Sequence, residues 1–427
     1  MNGKKRIIVL TLSFGAGHVR AAESVFNELR MRLPDADLLL VDALENCSLP
    51  FRAFYVWIYW AMIRYMPGLW RKFFNARVKR ADKQTAPVRA WRLGCKKTFD
   101  KILAFEPDMI IACEVGACEI AVIARKEILP EAKIINVITD FEAEPIWVKP
   151  EISAYAVASE RVMNQLLFWG AERRQISVCG IPLNAGFGNK FDTDHVRSRF
   201  GLDMRPVVLL MGGGMGPTRM HEVAAQILRT GNKVQIVALP GKDKRAEKEL
   251  NHLAGTQTST LLVIGWTDQV DSLMRAADIL GTKPGGVTIS EAASCGLPLV
   301  LFDAIPGPEE ANARYFAEAG AAVRTTGSNE TAEEILRLLG RADILIRMSA
   351  KCRKLARPDS ARKIFDLVQD HLFSENDGPI LRTPDQGVMP GQIREKSGHI
   401  SPFYDPEPAA EKPAEQFTQI SPGVKIA

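Results

Sequence analysis

RIIVLTLSFGAGHVRAAESVFNELRMRLPDADLLLVDAL, residues 6–44, decides the fold class. RIIVLTLS (6–13) is an apolar run of strand length, followed by GAGH. In the next segment Ala22, Val25, Phe26, Leu29 and Leu33 recur at helical spacing, and DLLLVDAL (37–44) is a second strand. Strand, glycine loop, helix, strand is the unit of a parallel sheet, because a parallel pair needs a long crossover.

Further along, the pattern resumes with a helix near 88–105, strand DMIIACE (108–114), a helix near 116–126 and strands KIINVITD (133–140) and AYAVAS (154–159). The texture turns polar at GFGNKFDTDHVRSRFGLD, from about residue 186, and a second α/β series starts afresh. Its strands read PVVLLM (206–211), KVQIVAL (233–239), LLVIG (261–265), DILGT (278–282) and LPLVLF (297–302), with helices following to about residue 373. We therefore expect an α/β protein of two doubly wound, Rossmann-like domains, 1–190 and 191–373, facing an interdomain cleft. Residues 374–427 are rich in Pro, Gly and charge and read as a disordered tail.

Composition is that of a globular chain, 46% hydrophobic and 25% charged. The opening MNGKKRIIVLTLS has no signal-peptide h-region, so a cytoplasmic location is expected. Seven cysteines without a CxxC read as buried, reduced thiols. The net charge of +5 is concentrated: residues 51–97 carry twelve Lys/Arg and one acid, +11, so the remainder sums to −6. Such local charge implies an anionic surface or ligand.

Four stretches can carry chemistry. GGGMG (212–216) ends a strand and opens a helix, where glycine N–H groups and a helix N-terminus suit a phosphate; a tight turn is the competing reading. No GK[ST] follows, so it is not a Walker loop. In TKPGGVTISEA (282–292) two glycines precede a helix with Glu291 one turn in, either a ribose-diol acceptor or a helix-start acid. IPGPEEANA (305–313) offers Glu309, Glu310 and Asn312 to sugar hydroxyls, or as helix caps. SFGAGHVRAA places His18 at a helix start, whose positive potential favours the neutral imidazole that a general base requires. Asp140 ends a strand in the same half and either orients a base or caps a turn.

TKPGGVTISEAASCGLPLVLFDAIPGPEEANA, with SFGAGHVRAA, TDF…W and GIP in order, resembles the diacylglycerol glycosyltransferases: processive diacylglycerol glucosyltransferases and monogalactosyldiacylglycerol synthases, relatives of the MurG-type enzymes. The likeness runs from about Arg6 to about Leu372. It implies a GT-B fold and inverting transfer of a hexose from a UDP-sugar to diacylglycerol, with no metal at the pyrophosphate. It places Gly212, Gly213, Gly214, Gly285 and Gly286 along the pyrophosphate, with Thr288 beside them, and Glu291 on the ribose. Gly265 and Trp266 would meet the uracil, and Glu309, Glu310 and Asn312 the donor sugar. His18 and Asp140 would be catalytic. Two departures stand out: Glu144 in TDFEAEPIW where the family has His, and Pro308 in PGPE where it has Gln. The first touches the acceptor side, with Glu144 and Trp147; the second leaves glucose, galactose and glucuronic acid open as donors. Another lipid acceptor, or a nucleotide-sugar sensor without turnover, are the alternative readings.

FRAFYVWIYWAMIRYMPGLWRKFF (51–74) holds ten of the 32 aromatic residues. Only 11 uncharged residues separate Arg52 from Arg64, too few for the roughly 20 that span a bilayer. Large aromatics with Lys/Arg describe a segment lying in an anionic membrane interface, through Trp57, Trp60, Trp70, Arg71, Lys72, Phe73 and Phe74. A core helix with a basic rim is the competing reading, and nucleic acid is not expected as a partner. These features together suggest a peripheral protein of the cytoplasmic face of the inner membrane.

Overall fold

A computed structural model of the chain describes residues 4–80, 86–188, 193–213, 218–231, 233–255 and 260–373. The side chains of Trp60, Arg64, Pro67, Asn75 and residues 77–80 fall outside the description, as do Gly214 and the tail read at 374–427.

The N-terminal half is built from β1 (Arg6–Thr11), α1 (Ala16–Arg32), β2 (Asp37–Asp42), α2 (Leu49–Tyr65), α3 (Pro67–Arg80), α4 (Val88–Gly94), α5 (Lys96–Phe105), β3 (Met109–Ala112), α6 (Val115–Glu127), β4 (Lys133–Val137), β5 (Ala154–Val157), α7 (Glu160–Phe168) and β6 (Ile176–Val178). The C-terminal half follows as α8 (Thr193–Arg199), β7 (Val207–Met211), α9 (Met220–Leu228), β8 (Gln235–Leu239), α10 (Lys244–Ala254), β9 (Leu261–Val263), α11 (Val270–Ala276), β10 (Ile279–Thr282), α12 (Gly286–Cys295), β11 (Leu299–Leu301), α13 (Pro308–Glu318), β12 (Ala322–Arg324), α14 (Ser328–Leu339), α15 (Ala342–Leu355) and α16 (Ser360–Phe373).

Each half contains one parallel six-stranded sheet, ordered β2-β1-β3-β4-β5-β6 and β12-β11-β10-β7-β8-β9. The strands are predominantly apolar, β3 (MIIA) and β7 (VVLLM) without interruption, because both faces of each sheet are covered. In the first sheet Ile8, Leu10 and Ile110 face one helical layer, while Ile7, Val9 and Ile111 face the other. That second layer includes Ile364, Phe365 and Val368 of α16, so the last helix packs back on the first sheet.

Strand order reverses between β1 and β3, and between β7 and β10. Ligands in such sheets bind beyond the strand C-termini at these switch points. The segments there are 12–15 and 113–114 in one half and, among the described residues, 212–213, 218–219 and 283–285 in the other. The fold thus sets the histidine loop opposite the two glycine loops.

Three expectations from sequence need correction. The helix expected near 88–105 is two, α4 and α5. Its chain breaks at Gly94–Cys95, where a Cβ on Gly94 would lie 2.3 Å from the Phe51 ring of α2. Cys95 is not a free thiol either, since it is joined to Cys47 as a disulfide. The 47–48 turn is held at this break, with Ser48 N donating to Gly94 O at 2.6 Å. The five other cysteines are free, and burial pushes each thiol up to about 12. Finally, β12 is a three-residue edge strand in a stretch that read as helical.

Candidate active site

Two helix N-termini converge on the cleft. α1 starts after Gly15 and α12 after Gly285, each presenting unpaired N–H groups and positive potential. A cavity of about 180 Å³ lies between them, lined by Phe14, Gly17, His18, Tyr59, Thr139 and Asp140 from one half. Gly213, Lys283, Gly285, Gly286, Thr288, Pro308 and Glu309 line it from the other. The structure therefore brings together His18, Asp140, both glycine loops and Glu309, as the sequence suggested.

Gly286 packs directly against the backbone of the other half. A Cβ there would sit 2.1 Å from the Thr139 carbonyl oxygen, so no larger residue fits without displacing backbone. Gly213 has φ +71, in the left-handed region that glycine adopts at no steric cost.

His18 Nδ1 lies 2.8 Å from Thr139 Oγ1. Burial lowers the imidazole below its ordinary value, while the Asp140 carboxylate and a hydrogen bond to the Cys113 backbone pull the other way. Burial of the ring acts in the same direction as the positive potential of the helix N-terminus named from sequence. Glu309 is shifted upward by burial, opposed by Lys283 and by its bond from Ile305 N at 2.8 Å.

Asn312 does not face open solvent. It is fully buried, donates from Nδ2 to Asp140 Oδ1 at 2.8 Å and to Pro284 O at 3.1 Å, and accepts from Phe141 N at 2.8 Å. Glu310 pairs with Arg71 of α3 at 2.6 Å. Of the three residues assigned to the sugar, only Glu309 points into this cavity; the other two tie the halves together.

On the far side of Gly213 a smaller cavity of about 50 Å³ is lined by Gly17, Arg20, Gly241, Gly265, Trp266 and Thr288 among others. Trp266 is 56% exposed. The Arg20 guanidinium and the Lys242 ammonium each lie 5.3 Å from its ring centroid. Glu291 is buried 3.6 Å from Arg20, with Oε2 unpartnered, and burial pushes its carboxyl up to about 7. Glu291 lines an adjoining cavity of about 230 Å³ with Arg20, Trp266 and Asp271, where a buried acceptor without a donor is suited to a vicinal diol.

Sequence reasoning gave no role to Arg20, Tyr59, Thr139 or Lys283. Arg20 and Lys283 sit inside the quoted motifs SFGAGHVRAA and TKPGG, where a lone cation beside a phosphate-type loop was the available signal. Tyr59 lies in the aromatic stretch read as a membrane-interface segment, with a core helix as the competing reading, and carries no signal of its own there.

The membrane expectation is divided by the structure. Trp57 is 79% exposed, Phe54 70% and Phe73 53%, and Lys72 is exposed beside them. Trp70 and Phe74 instead face inward: Trp70 Nε1 donates to Pro306 O at 3.0 Å, and Phe74 is buried against Gly307. The correction is one of helix phase, since residues 70 and 74 share one face of α3 and residues 69 and 73 another. Glu144 and Trp147, expected at the acceptor, are buried in the N-terminal core around the 145–147 turn. A larger cavity, about 1110 Å³, lies between α2–α3 and the C-terminal half, bounded by Ile63, Arg71, Arg219, Lys283, Asp303 and Ile305 among others.

Residues 18–183 match the profile of the monogalactosyldiacylglycerol (MGDG) synthase family, and residues 211–357 that of glycosyl transferases group 1. A processive diacylglycerol beta-glucosyltransferase of Bacillus licheniformis is 26% identical over 386 residues, covering 90% of this chain and 99% of that protein. Among solved structures, MurG of Acinetobacter baumannii superposes with a TM-score of 0.56 at 15% identity, over 86% of this chain and 99% of that one. S. aureus MnaA, solved with UDP, gives 0.57 at 12% identity over 86% and 97%.

Proposed function

We propose that this UDP-sugar-dependent glycosyltransferase of the GT-B architecture is a diacylglycerol glycosyltransferase, as its match to the monogalactosyldiacylglycerol synthase profile supports, and that it moves a hexose from a UDP-sugar onto diacylglycerol by direct, inverting displacement. The observation that carries this reading is the single cavity shared by His18, Glu309 and the N-terminus of α12.

In the tautomer that donates from Nδ1 to Thr139, His18 keeps its Nε2 lone pair, and burial keeps the ring neutral. It then takes the proton of the lipid hydroxyl as the oxygen attacks the anomeric carbon. The bond to the diphosphate breaks on the opposite face. Lys283, Gly213 and the N–H groups opening α12 face the departing charge, so the protein supplies the stabilisation that a metal supplies elsewhere. Glu291 holds the ribose, and Gly265–Trp266 flank the base.

The acceptor enters past Tyr59 and Ile63 from the exposed face of α2. No helix among the described residues is long and apolar enough to cross a membrane. The exposed aromatics and the basic excess of residues 51–97 suit peripheral docking on the anionic cytoplasmic face of the inner membrane.

Product analysis tests this: purified protein, diacylglycerol in anionic liposomes, and UDP-glucose, UDP-galactose and UDP-glucuronate supplied separately, read by mass spectrometry. A glycolipid from one donor is expected. No product from any, with UDP still bound, would replace this reading with another acceptor or a sensor.

A further inference from the structure

α3 has two working faces. Leu69 and Phe73 are exposed, 52% and 53%, and continue the apolar surface of α2. Trp70 and Phe74, one position on, are turned against the loop that joins β11 to α13.

Their contacts with that loop are consecutive. Trp70 Nε1 donates to Pro306 O at 3.0 Å. The Phe74 ring covers Gly307, whose φ is +103 and where a Cβ would come within 3.2 Å of the ring. Arg71 pairs with Glu310 at 2.6 Å, and Glu310 in turn accepts from Gly307 N at 3.4 Å. The residue left between these anchors is Glu309, which bonds back to Ile305 N and faces the cavity that holds His18. Pro308 beside it has no side-chain donor or acceptor to offer. The position of Glu309 is therefore set from α3, not from the C-terminal half alone.

We infer that Trp70 and Phe74 are positioning residues for the donor sugar: they fix the 305–310 loop, so the hairpin bearing the exposed apolar face is also a wall of the donor site. A lipid surface that holds this hairpin holds the loop with it and tightens sugar binding, and by linkage the sugar strengthens lipid binding by the same factor. This coupling rests on the lipid-surface reading above; the positioning role does not. No described residue of α3 lines the nucleoside end of the site, at Arg20, Trp266 and Glu291, so the effect belongs to the sugar and not to UDP.

Calorimetric titration of the full chain with UDP, and then with UDP-glucose, UDP-galactose and UDP-glucuronate in turn, tests this with and without phosphatidylglycerol vesicles. Trp70→Phe keeps the ring and removes the N–H, and should weaken the best-bound UDP-sugar about fivefold while leaving UDP unchanged. Vesicles should tighten that UDP-sugar in the wild type and not in Trp70→Ala. Equal weakening of UDP and UDP-sugar would reduce Trp70 to a structural role and overturn the inference, as would unchanged sugar binding in both variants. Vesicles that bind the protein without changing sugar affinity would overturn the coupling. Failure to bind vesicles at all would sink the lipid-surface reading, and the vesicle-free titrations of the two variants would still decide the positioning role. Absence of glycolipid in the product assay is a separate result, since these titrations need no turnover.

Discussion

Asn312 of α13 donates its Nδ2 hydrogen to Asp140 Oδ1 at 2.8 Å, bridging the two halves at the floor of the cleft. The same side chain accepts from Phe141 N, and beside it Phe141 stacks on Tyr315 with ring centroids 4.8 Å apart. At this seam between the halves, Asn312→Ala strands the buried Phe141 N–H and takes a donor from the half-buried Asp140 carboxylate. It should cost about 2–4 kcal/mol of stability, measured by urea unfolding. Asn312→Asp should cost more at pH 8 than at pH 5, because it sets a second carboxylate against Asp140.

Gly286→Ala addresses the same seam from α12. The added methyl would fall on the Thr139 carbonyl, backbone that cannot swing away. Overpacking of this kind costs about 1–3 kcal/mol. Thr139 also holds His18, so transfer should fall by about a hundredfold, the scale of a misplaced reacting group. Transfer within threefold of wild type would show that the seam opens without moving His18.

How the sequence foretold this site depends on what kind of signal each residue carried. Apolar runs of strand length gave the parallel sheets, because fully covered strands are predominantly apolar. His18, Gly213, Gly285 and Glu309 were legible because they occupy strand–loop–helix junctions, which the fold places at the cleft. Asn312 and Glu310 lie at such a junction too, yet their partners, Asp140 and Arg71, come from the other half, and no local pattern reveals a pairing across more than 170 residues. The Cys47–Cys95 link escaped for the same reason. The aromatic stretch shows its apolar and basic character in sequence but not its two faces; only the helix phase separates Trp70 and Phe74, packed on the 306–307 turn, from exposed Phe73.

The base role proposed for His18 predicts the acid limb of the rate. Its imidazole is lowered from 6.5 by burial, so the neutral base persists below that pH. Activity should be flat from pH 8 to 6.5 and fall only at lower pH. His18→Gln should lower kcat by about 10²- to 10⁴-fold with a smaller change in donor KM. An acid limb centred above 6.5, or a variant retaining more than a tenth of kcat, would remove His18 from the base role.

Glu291 should leave a trace in stability. Its carboxyl is raised from 4.5 to about 7, so between these values the native state binds more protons than the unfolded chain. Stability therefore falls as pH rises through that window, by about 3 kcal/mol at most, and is flat above it. Glu291→Gln lacks the titration, and the difference between the two melting profiles should develop between pH 4.5 and 7. Ribose hydroxyls donating to the carboxylate would lower its pKa again. UDP binding near pH 6.5 should then release protons, seen as a buffer-dependent heat, and the release should vanish in Glu291→Gln.

The exposed aromatics of α2 and α3 make the final test, because the two faces of the hairpin predict opposite phenotypes. Full burial of one large apolar side chain is worth about 1.5–3 kcal/mol, and partial insertion into a lipid interface about 1. Phe54, Trp57 and Phe73 are 70%, 79% and 53% exposed, so replacing all three by Ser removes little from the folded core. Their loss should weaken sedimentation with anionic vesicles by about a hundredfold, while UDP affinity and melting temperature stay as in the wild type. Trp70→Ala should do the reverse, keeping vesicle binding and losing donor-sugar affinity, since its ring faces Pro306 and not solvent. If the triple variant sediments like the wild type, the apolar surface is not the docking face, and the basic excess of residues 51–97 alone would have to account for any lipid binding.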